Sequence, residues 1–379
     1  MVYDCIVVGS GPAGGAAAYH LARQGRRVLV LEKEALPRYK PCGGGVSPQV
    51  QAWFDFDFTP AISLKLTQMV CTWQGGEAQV LELPPEHAVW MVRRDVFDHF
   101  LIQQAQQQGA QVAAQTPVTG LTWGGDRWQV HTPKGDFTAQ YLIGCDGAKG
   151  SMAKWLGFQH RQQRIGAAIE VEAAMPNHSL RTAHFDFGRV HNGYIWNFPK
   201  REGYSIGVGT FSLKRKQNLR AIGAAYAETF GVDFSQVKVY GHPLYCWQRH
   251  QRLHTQNALL AGEAACIVDP FTAEGIRPSL LTGMLAAQAI DRALNGDPEA
   301  LADYSRQVQQ AWGADMVWAK RLATLFYRMP HMAYEVAIKR PSALQRMGQI
   351  LCGQLRYRDA AANGLKLLAA GLRVPTVFR

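Results

Sequence analysis

A chain of 379 residues that is 47% hydrophobic and 18% charged has enough apolar side chain to bury a full core, which excludes a disordered chain and a minimal single domain. Forty Lys and Arg against 29 Asp and Glu leave +11, a basic balance that favours acidic partners or anionic surfaces. Seven cysteines without a C-x-x-C pair argue against a disulfide framework, a zinc ribbon or an iron–sulfur cluster, and fit a reducing cytosol.

The charge is uneven: in residues 339–379, eight basic side chains stand against Asp359 alone, so +7 of the +11 falls there. The opening Met1-Val2-Tyr3-Asp4 runs straight into a strand pattern without a charged leader, so no signal peptide is expected. Each apolar stretch that approaches the ~18 residues of a membrane span is cut by Glu263, Asp269, Asp291 or Lys366, so no transmembrane helix is expected.

In chain order, residues 3–8 form an apolar run that ends in Gly9-Ser10-Gly11-Pro12-Ala13-Gly14, followed by an Ala-rich helical stretch to about Gln24. Residues 27–32 then read as a second buried strand, which gives strand, glycine turn, helix, parallel strand. In Gly9-x-Gly11-x-x-Gly14 the first glycine permits the tight turn and the second lets backbone approach a pyrophosphate. The third lets helix and strand pack closely, while the helix N-terminus offers amides to the anion. Glu32, ending the second strand, is placed to accept from adenosine ribose hydroxyls and disfavours a 2′-phosphate. Next comes Lys40-Pro41-Cys42-Gly43-Gly44-Gly45-Val46. Its triple glycine removes side chains so that backbone and a cofactor ring can come close, leaving Cys42 as the one reactive group at the edge, or as a structural thiol.

Strand-like pieces at 65–73, 128–131, 167–173 and 204–211 then alternate with turn signals such as Gln74-Gly75-Gly76 and Gly124-Gly125-Asp126, with a helix at 95–109 among them. Leu142-Ile143-Gly144-Cys145-Asp146-Gly147 is an apolar strand ending in an Asp-Gly turn. Tyr194, Trp196 and Phe198 share one strand face, either as sheet core or as an apolar wall suited to a hydrocarbon chain. His250 and His254 have the i, i+4 spacing of a helical metal pair, but with Arg249 and Arg252 beside them and no carboxylate, no metal site is expected. Leu259-Leu260-Ala261-Gly262-Glu263 is a third strand and glycine turn, followed by Asp269-Pro270-Phe271-Thr272-Ala273-Glu274-Gly275-Ile276 and a helix. Beyond it the periodicity stays helical, with Pro298, Pro330 and Pro341 marking helix boundaries. The basic end of the chain reads as a solvated face or as a membrane-surface contact, since Leu355, Leu365, Leu367, Leu368 and Leu372 interleave its charges. Nucleic acid is not expected as a partner, because no reader motif accompanies the charge, and no G-x-S-x-G or Walker A sequence points to hydrolase or triphosphatase chemistry.

The three glycine-turn stations resemble those of the FAD-dependent hydroxylase-like superfamily, and Arg94-x-x-Phe97-Asp98-x-x-Leu101 is similar to its helix that meets the same cofactor. Within it, Lys40-Pro41-Cys42-Gly43-Gly44-Gly45-Val46 and Tyr194-x-Trp196-x-Phe198-Pro199 resemble the geranylgeranyl reductase family, over residues 3 to about 290. The implied fold is mixed α/β: a Rossmann-like FAD-binding domain (1–64, 93–157, 255–298) interleaved with an antiparallel-sheet substrate domain (65–92, 158–254), closed by a helical basic region (299–379). The implied activity is FAD-dependent saturation of C=C bonds in a geranylgeranyl or polyprenyl chain on chlorophyll, an archaeal lipid, a prenyl diphosphate or a quinone tail.

By the same resemblance, FAD is held by Gly9, Gly11, Pro12, Ala13, Gly14, Glu32 and Lys33, by Cys42, Gly43 and Gly44, by Arg94 and Val118, and by Asp146, Gly147, Glu263, Gly275 and Ile276. Cys42, Tyr194 and Trp196 are the implied catalytic residues, and Tyr194, Trp196, Phe198 and Pro199 the substrate wall. The expected electron donor is NADPH or reduced ferredoxin, the expected substrate is prenylated and hydrophobic, and the expected location is the cytoplasm, with peripheral membrane contact where the basic C-terminal region is a membrane face rather than a solvated one. Two other readings share the scaffold: a flavin monooxygenase or halogenase, whose Trp-x-Trp-x-Ile-Pro segment residues 194–199 fit poorly, and a prenyl-chain carrier with a vestigial FAD site. Hydroxylase-like relatives have Asp at Glu263 and Gly at Cys266 and Ala273, and the fuller tyrosine motif opens with Pro where His191 stands. Glu263 keeps the acceptor; Cys266 and Ala273 bear on flavin positioning, and Arg277 on substrate choice.

Overall fold

The computed structural model of the chain describes residues 1–158, 161, 163–176 and 178–361. The opening segment folds as its pattern dictates: strand Val2–Val8, helix Pro12–Arg23 and strand Val28–Leu31, both strands parallel and almost wholly buried. Continuous apolar runs suit strands covered on both faces. The sheet runs in the order His254–Thr255, Ala258–Leu260, Phe137–Gly144, Val2–Val8, Val28–Leu31, Gln111–Ala113. Its central strand Phe137–Gly144 pairs at its start with the hairpin Gly120–Trp123 and Trp128–His131, and at its end with Ala258–Leu260. Helices Pro12–Arg23, Arg94–Gln107 and Ile276–Leu294 pack together against this sheet, with Ala16, Ala17, Leu101 and Leu280 fully buried.

A second sheet of seven strands carries the order Val239–Trp247, Gln163–Ala174, Gly203–Thr210, Gly193–Lys200, Thr182–Phe187, Gln68–Trp73, Gln79–Glu82. It is antiparallel except for one pair: Thr182–Phe187 runs parallel to Gln68–Trp73, because the latter arrives from an earlier excursion of the chain rather than through a hairpin. The strand expected at 65–73 is in fact two. Leu64–Leu66 joins a small sheet with Val89–Met91 and Gly45–Val46, the chain breaks at Thr67, and Gln68–Trp73 joins the large one. His250 lies in an irregular segment, so it shares no helix face with His254, whose Nδ1 instead meets Ser305 Oγ at 2.8 Å.

The C-terminal helices start where the prolines indicate: Pro330 opens Pro330–Ala337 and Pro341 opens Pro341–Leu351, each at the first helical position where a missing N–H costs nothing. With Ala314–Arg328 they close over the end of the seven-stranded sheet, where Tyr334 Oη donates to the Cys71 carbonyl at 3.1 Å. Among the described residues no helix is long and apolar enough to cross a membrane. Leu365, Leu367, Leu368 and Leu372 of the basic tail lie outside the described residues.

Candidate functional site: one cavity from glycine turns to an aromatic wall

A cavity of about 670 Å³ runs from the C-terminal ends of the parallel strands to one face of the seven-stranded sheet. That is where open α/β sheets bind ligands, since helix N-termini and strand ends converge there. Every cofactor residue expected from sequence lines it except Gly14, which lies just behind. A Cβ on Gly14 would sit 1.8 Å from the Gly9 carbonyl oxygen, so it is the helix-to-strand contact that requires glycine. Gly14→Ala is expected to lower stability by ~1–3 kcal/mol or more through overpacking and to yield protein with less bound dinucleotide, measured by melting and by absorbance of the purified protein.

Glu32 is 4% exposed, and its carboxylate is built in. Oε2 accepts from Ser10 N at 3.0 Å, Ser10 Oγ at 2.5 Å and Arg38 Nε at 3.2 Å, while Oε1 accepts from Glu34 N at 3.0 Å. Burial alone would raise its pKa, but the Ser10 hydroxyl, Arg38 and the two amides outweigh it and hold the group ionised below its ordinary value. Oε1 keeps a lone pair for a ribose hydroxyl. Arg38 reaches on to Asp98 at 3.2 Å, and Asp98 grips Arg94 through two bonds of 2.8 and 2.7 Å. This chain of alternating charge ties the helix Arg94–Gln107 to the strand that ends at Glu32.

At the other stations, Asp146 accepts from Met152 N with one oxygen while its buried Oδ1 has no partner within the protein. Glu263 is held well below the carboxylate range, at about 2: burial raises it, and Lys40 at 3.5 Å, His242 at 3.0 Å and the Tyr245 amide more than reverse that. Gly275 and Ile276 open the nineteen-residue helix Ile276–Leu294 against the cavity. Cys266 and Ala273, standing where relatives have glycine, adopt left-handed backbone at φ 55° and 61°. The loop therefore keeps the path glycine would give it, at roughly 1–2 kcal/mol each. Orphaned Asp146 Oδ1, the spare lone pair on Glu32 and the bare glycine cradle fit an adenine dinucleotide that brings hydroxyls and a pyrophosphate.

The inner half of the cavity is apolar. Tyr194, Trp196 and Phe198 line it from one strand, as expected, but Pro199 points to the opposite sheet face because side chains alternate along a strand. Tyr194 donates its hydroxyl to the Thr272 carbonyl, and burial pushes its pKa up. Trp196 lies flat across Gly207 of the neighbouring strand, where a Cβ would come within 2.0 Å of the indole. Its Nε1 is buried without a partner and faces Gly43, whose own Cβ would meet Phe198 at 2.8 Å and that nitrogen at 3.1 Å. Part of the demand for glycine in the triple-glycine loop thus comes from the aromatic wall rather than from a cofactor. Arg277 does not reach the cavity. It is buried against Glu274 at 2.7 Å and Gln49 at 3.3 Å, and lies over the Trp312 ring, so it anchors the loop before Gly275 rather than selecting a substrate.

Sequence reading missed the polar groups beneath this wall. Glu170, paired in register with Gly207 and so across it from Trp196, is 4% exposed; it accepts from the Cys42 amide and from Tyr39 Oη at 3.2 Å. Burial first, and then Glu172, push its carboxyl up to about 8 against the pull of the Cys42 amide and Lys200. Lys200, 2% exposed, donates to the Gly43 carbonyl, and burial draws its pKa down. The available signal was Glu170-x-Glu172, two carboxylates on one face of an apolar strand, and Lys200 continuing the alternation of Tyr194, Trp196 and Phe198.

Residues 2–317 match the family described as FAD binding domain. The chain is 30% identical over 317 residues to a menaquinone reductase of Mycobacterium tuberculosis, covering 76% of each protein. It is 25% identical over 359 residues to a digeranylgeranylglycerophospholipid reductase of Methanocaldococcus jannaschii, covering 90% of this chain and 88% of the relative. A crystal structure of a geranylgeranyl bacteriochlorophyll reductase-like protein from Thermoplasma acidophilum superposes with a TM-score of 0.79 at 20% identity, over 98% of this chain and 96% of that one. The stations, the shared architecture and these matches together place the chain in the FAD-binding family, among the FAD-dependent oxidoreductases of the geranylgeranyl reductase type.

Proposed function

We propose that the protein saturates carbon–carbon double bonds in a long prenyl chain. The observation that carries this reading is one cavity leading from the dinucleotide stations into a pocket walled by Met69, Leu81, Phe185, Phe211, Phe326 and Leu344. Such a lining gains by taking hydrocarbon out of water and offers a polar head group nothing to pair with. The reductases named for digeranylgeranyl lipid and menaquinone among the relatives point to the same substrate class.

Bound FAD in its reduced form supplies the hydride. The other alkene carbon takes a proton, so each bond gains one electron pair and two hydrogens. An isolated trisubstituted alkene is electron-rich and resists hydride unless positive charge is stabilised as it develops, a task for the ring faces of Trp196 and Tyr194. We assign the proton to Glu170, whose raised pKa keeps it protonated at neutral pH, with Cys42 closing the edge beside it. Electrons come from a visiting reductant, NADPH or an acidic carrier such as ferredoxin, and the rate of flavin reduction by each decides between them. The protein works in the cytoplasm against a membrane that holds its substrate.

An anaerobic single turnover tests the reading. The flavin is photoreduced, geranylgeranyl diphosphate or a detergent-dispersed geranylgeranyl lipid is added, and flavin absorbance is followed with mass analysis of the product. Reoxidation with a gain of two hydrogens per bond is expected. Reoxidation only on admission of oxygen, with every prenyl compound untouched, favours a monooxygenase instead.

A further inference from the structure

The helix Ala314–Arg328 and the helix Pro330–Ala337 each have two apolar faces. Inward, Phe326, Tyr327 and, just beyond, Ile338 line the cavity. Outward, Leu325 is 56% exposed, Met329 41%, Met332 42% and Val336 48%. Met332 and Val336, four residues apart, share one face of the second helix, Leu325 lies in the last turn of the first, and Met329, whose backbone is not helical, joins the two. Four of the ten large apolar side chains exposed among the described residues thus fall within the twelve residues 325–336. Cations frame it: Arg321, Arg328, Lys339 and Arg340 are exposed, and the acids beside them are Glu335, paired with Lys339 at 2.8 Å, and Glu77, whose charge also acts on Lys339.

We propose that this outer face docks the protein on an anionic lipid bilayer, with Leu325, Met332 and Val336 immersed at the headgroup boundary and Arg321, Arg328 and Arg340 on lipid phosphates. Exposed apolar side chains bordered by more basic than acidic residues are complementary to such a surface. The face lies within the helical basic region 299–379, ahead of the leucines that interleave the charges of its last residues. The inference rests on the prenyl-reductase reading for its purpose: the helix Ala314–Arg328 turns Phe326 and Tyr327 into the substrate pocket and the helix Pro330–Ala337 leads into Ile338 beside them, so docking sets the pocket against the source of a membrane-held chain.

The test is co-sedimentation of the full-length FAD-loaded protein with phosphatidylcholine vesicles, with and without phosphatidylglycerol. Strong binding to the anionic vesicles that weakens with salt is expected for the native chain. A triple variant, Leu325→Glu with Met332→Glu and Val336→Glu, should bind at least about tenfold more weakly with unchanged flavin content and melting temperature. Binding of the triple variant equal to the native chain overturns the proposal, as does absence of native binding. Light scattering that shows a dimer dissociated by the triple variant overturns it too, in favour of a second copy on this face. Vesicle binding involves no catalysis, so its failure leaves the single-turnover result standing, and failure of the turnover leaves the docking result standing.

Discussion

Glu170→Gln is expected to slow prenyl-bond reduction by about 100-fold or more, the usual worth of a positioned general acid, while flavin content and folding stay as in the native protein. Gln keeps an oxygen to accept from the Cys42 amide and from Tyr39, so the loop holding the triple glycine retains its anchor. What disappears is the exchangeable proton opposite Trp196. The pH profile separates this role from a structural one. A carboxyl pushed up to about 8 is protonated below that pH and loses its proton above it, so native turnover should hold through neutrality and fall as the pH rises past about 8. In the variant the descending limb should vanish along with most of the rate. If Glu170→Gln keeps both the native rate and the limb, the proton comes from elsewhere, and Cys42→Ser becomes the decisive comparison.

The second large effect concerns stability. Asp98→Ala is expected to destabilise the protein by about 3–5 kcal/mol, the cost of removing one member of a buried ion network. Asp98 is 1% exposed and faces two guanidiniums, Arg94 through two bonds and Arg38 through one. Without it, Arg94 is left charged and buried beside Cys42, and Arg38 retains only Glu32. Asp98→Asn should fall between native and Ala, because it keeps an acceptor but not the charge. Urea unfolding of the three proteins measures the order, and flavin content should drop in the same order as Glu32 loses its fixed neighbour. A loss below ~1 kcal/mol for Asp98→Ala would mean that water reaches both guanidiniums.

The parallel sheet was legible in the sequence because its strands are unbroken apolar runs that end in glycine turns, a pattern set by burial on both faces and by close helix packing. Tyr194, Trp196 and Phe198 were legible as a face for the same reason, and the period of two excludes Pro199 from it. The break at Thr67 was not legible: both halves of 65–73 alternate, and only the partners, drawn from strands far along the chain, separate them. Glu170 and Lys200 escaped, and Arg277 was read for substrate rather than as a buried anchor, because a charged side chain inside an apolar pattern reads as a surface interruption until its burial partners are known. Cys266 and Ala273 show the reverse. They depart from the glycine pattern, yet both adopt the left-handed backbone that glycine favours.

Phe326, Tyr327, Ile338, Leu344, Met347 and Leu351 all line the cavity, and all lie beyond residue 317, where the match to the FAD binding domain ends. The floor of the pocket is therefore built by residues other than those that hold the cofactor. A lineage could lengthen, shorten or replace those last helices and so change the depth to which a chain is admitted, without touching a glycine turn or the Glu32 to Asp98 charge relay. Diversity of substrate across such proteins is then an expected product of divergence at one end of the gene, with the redox centre held constant.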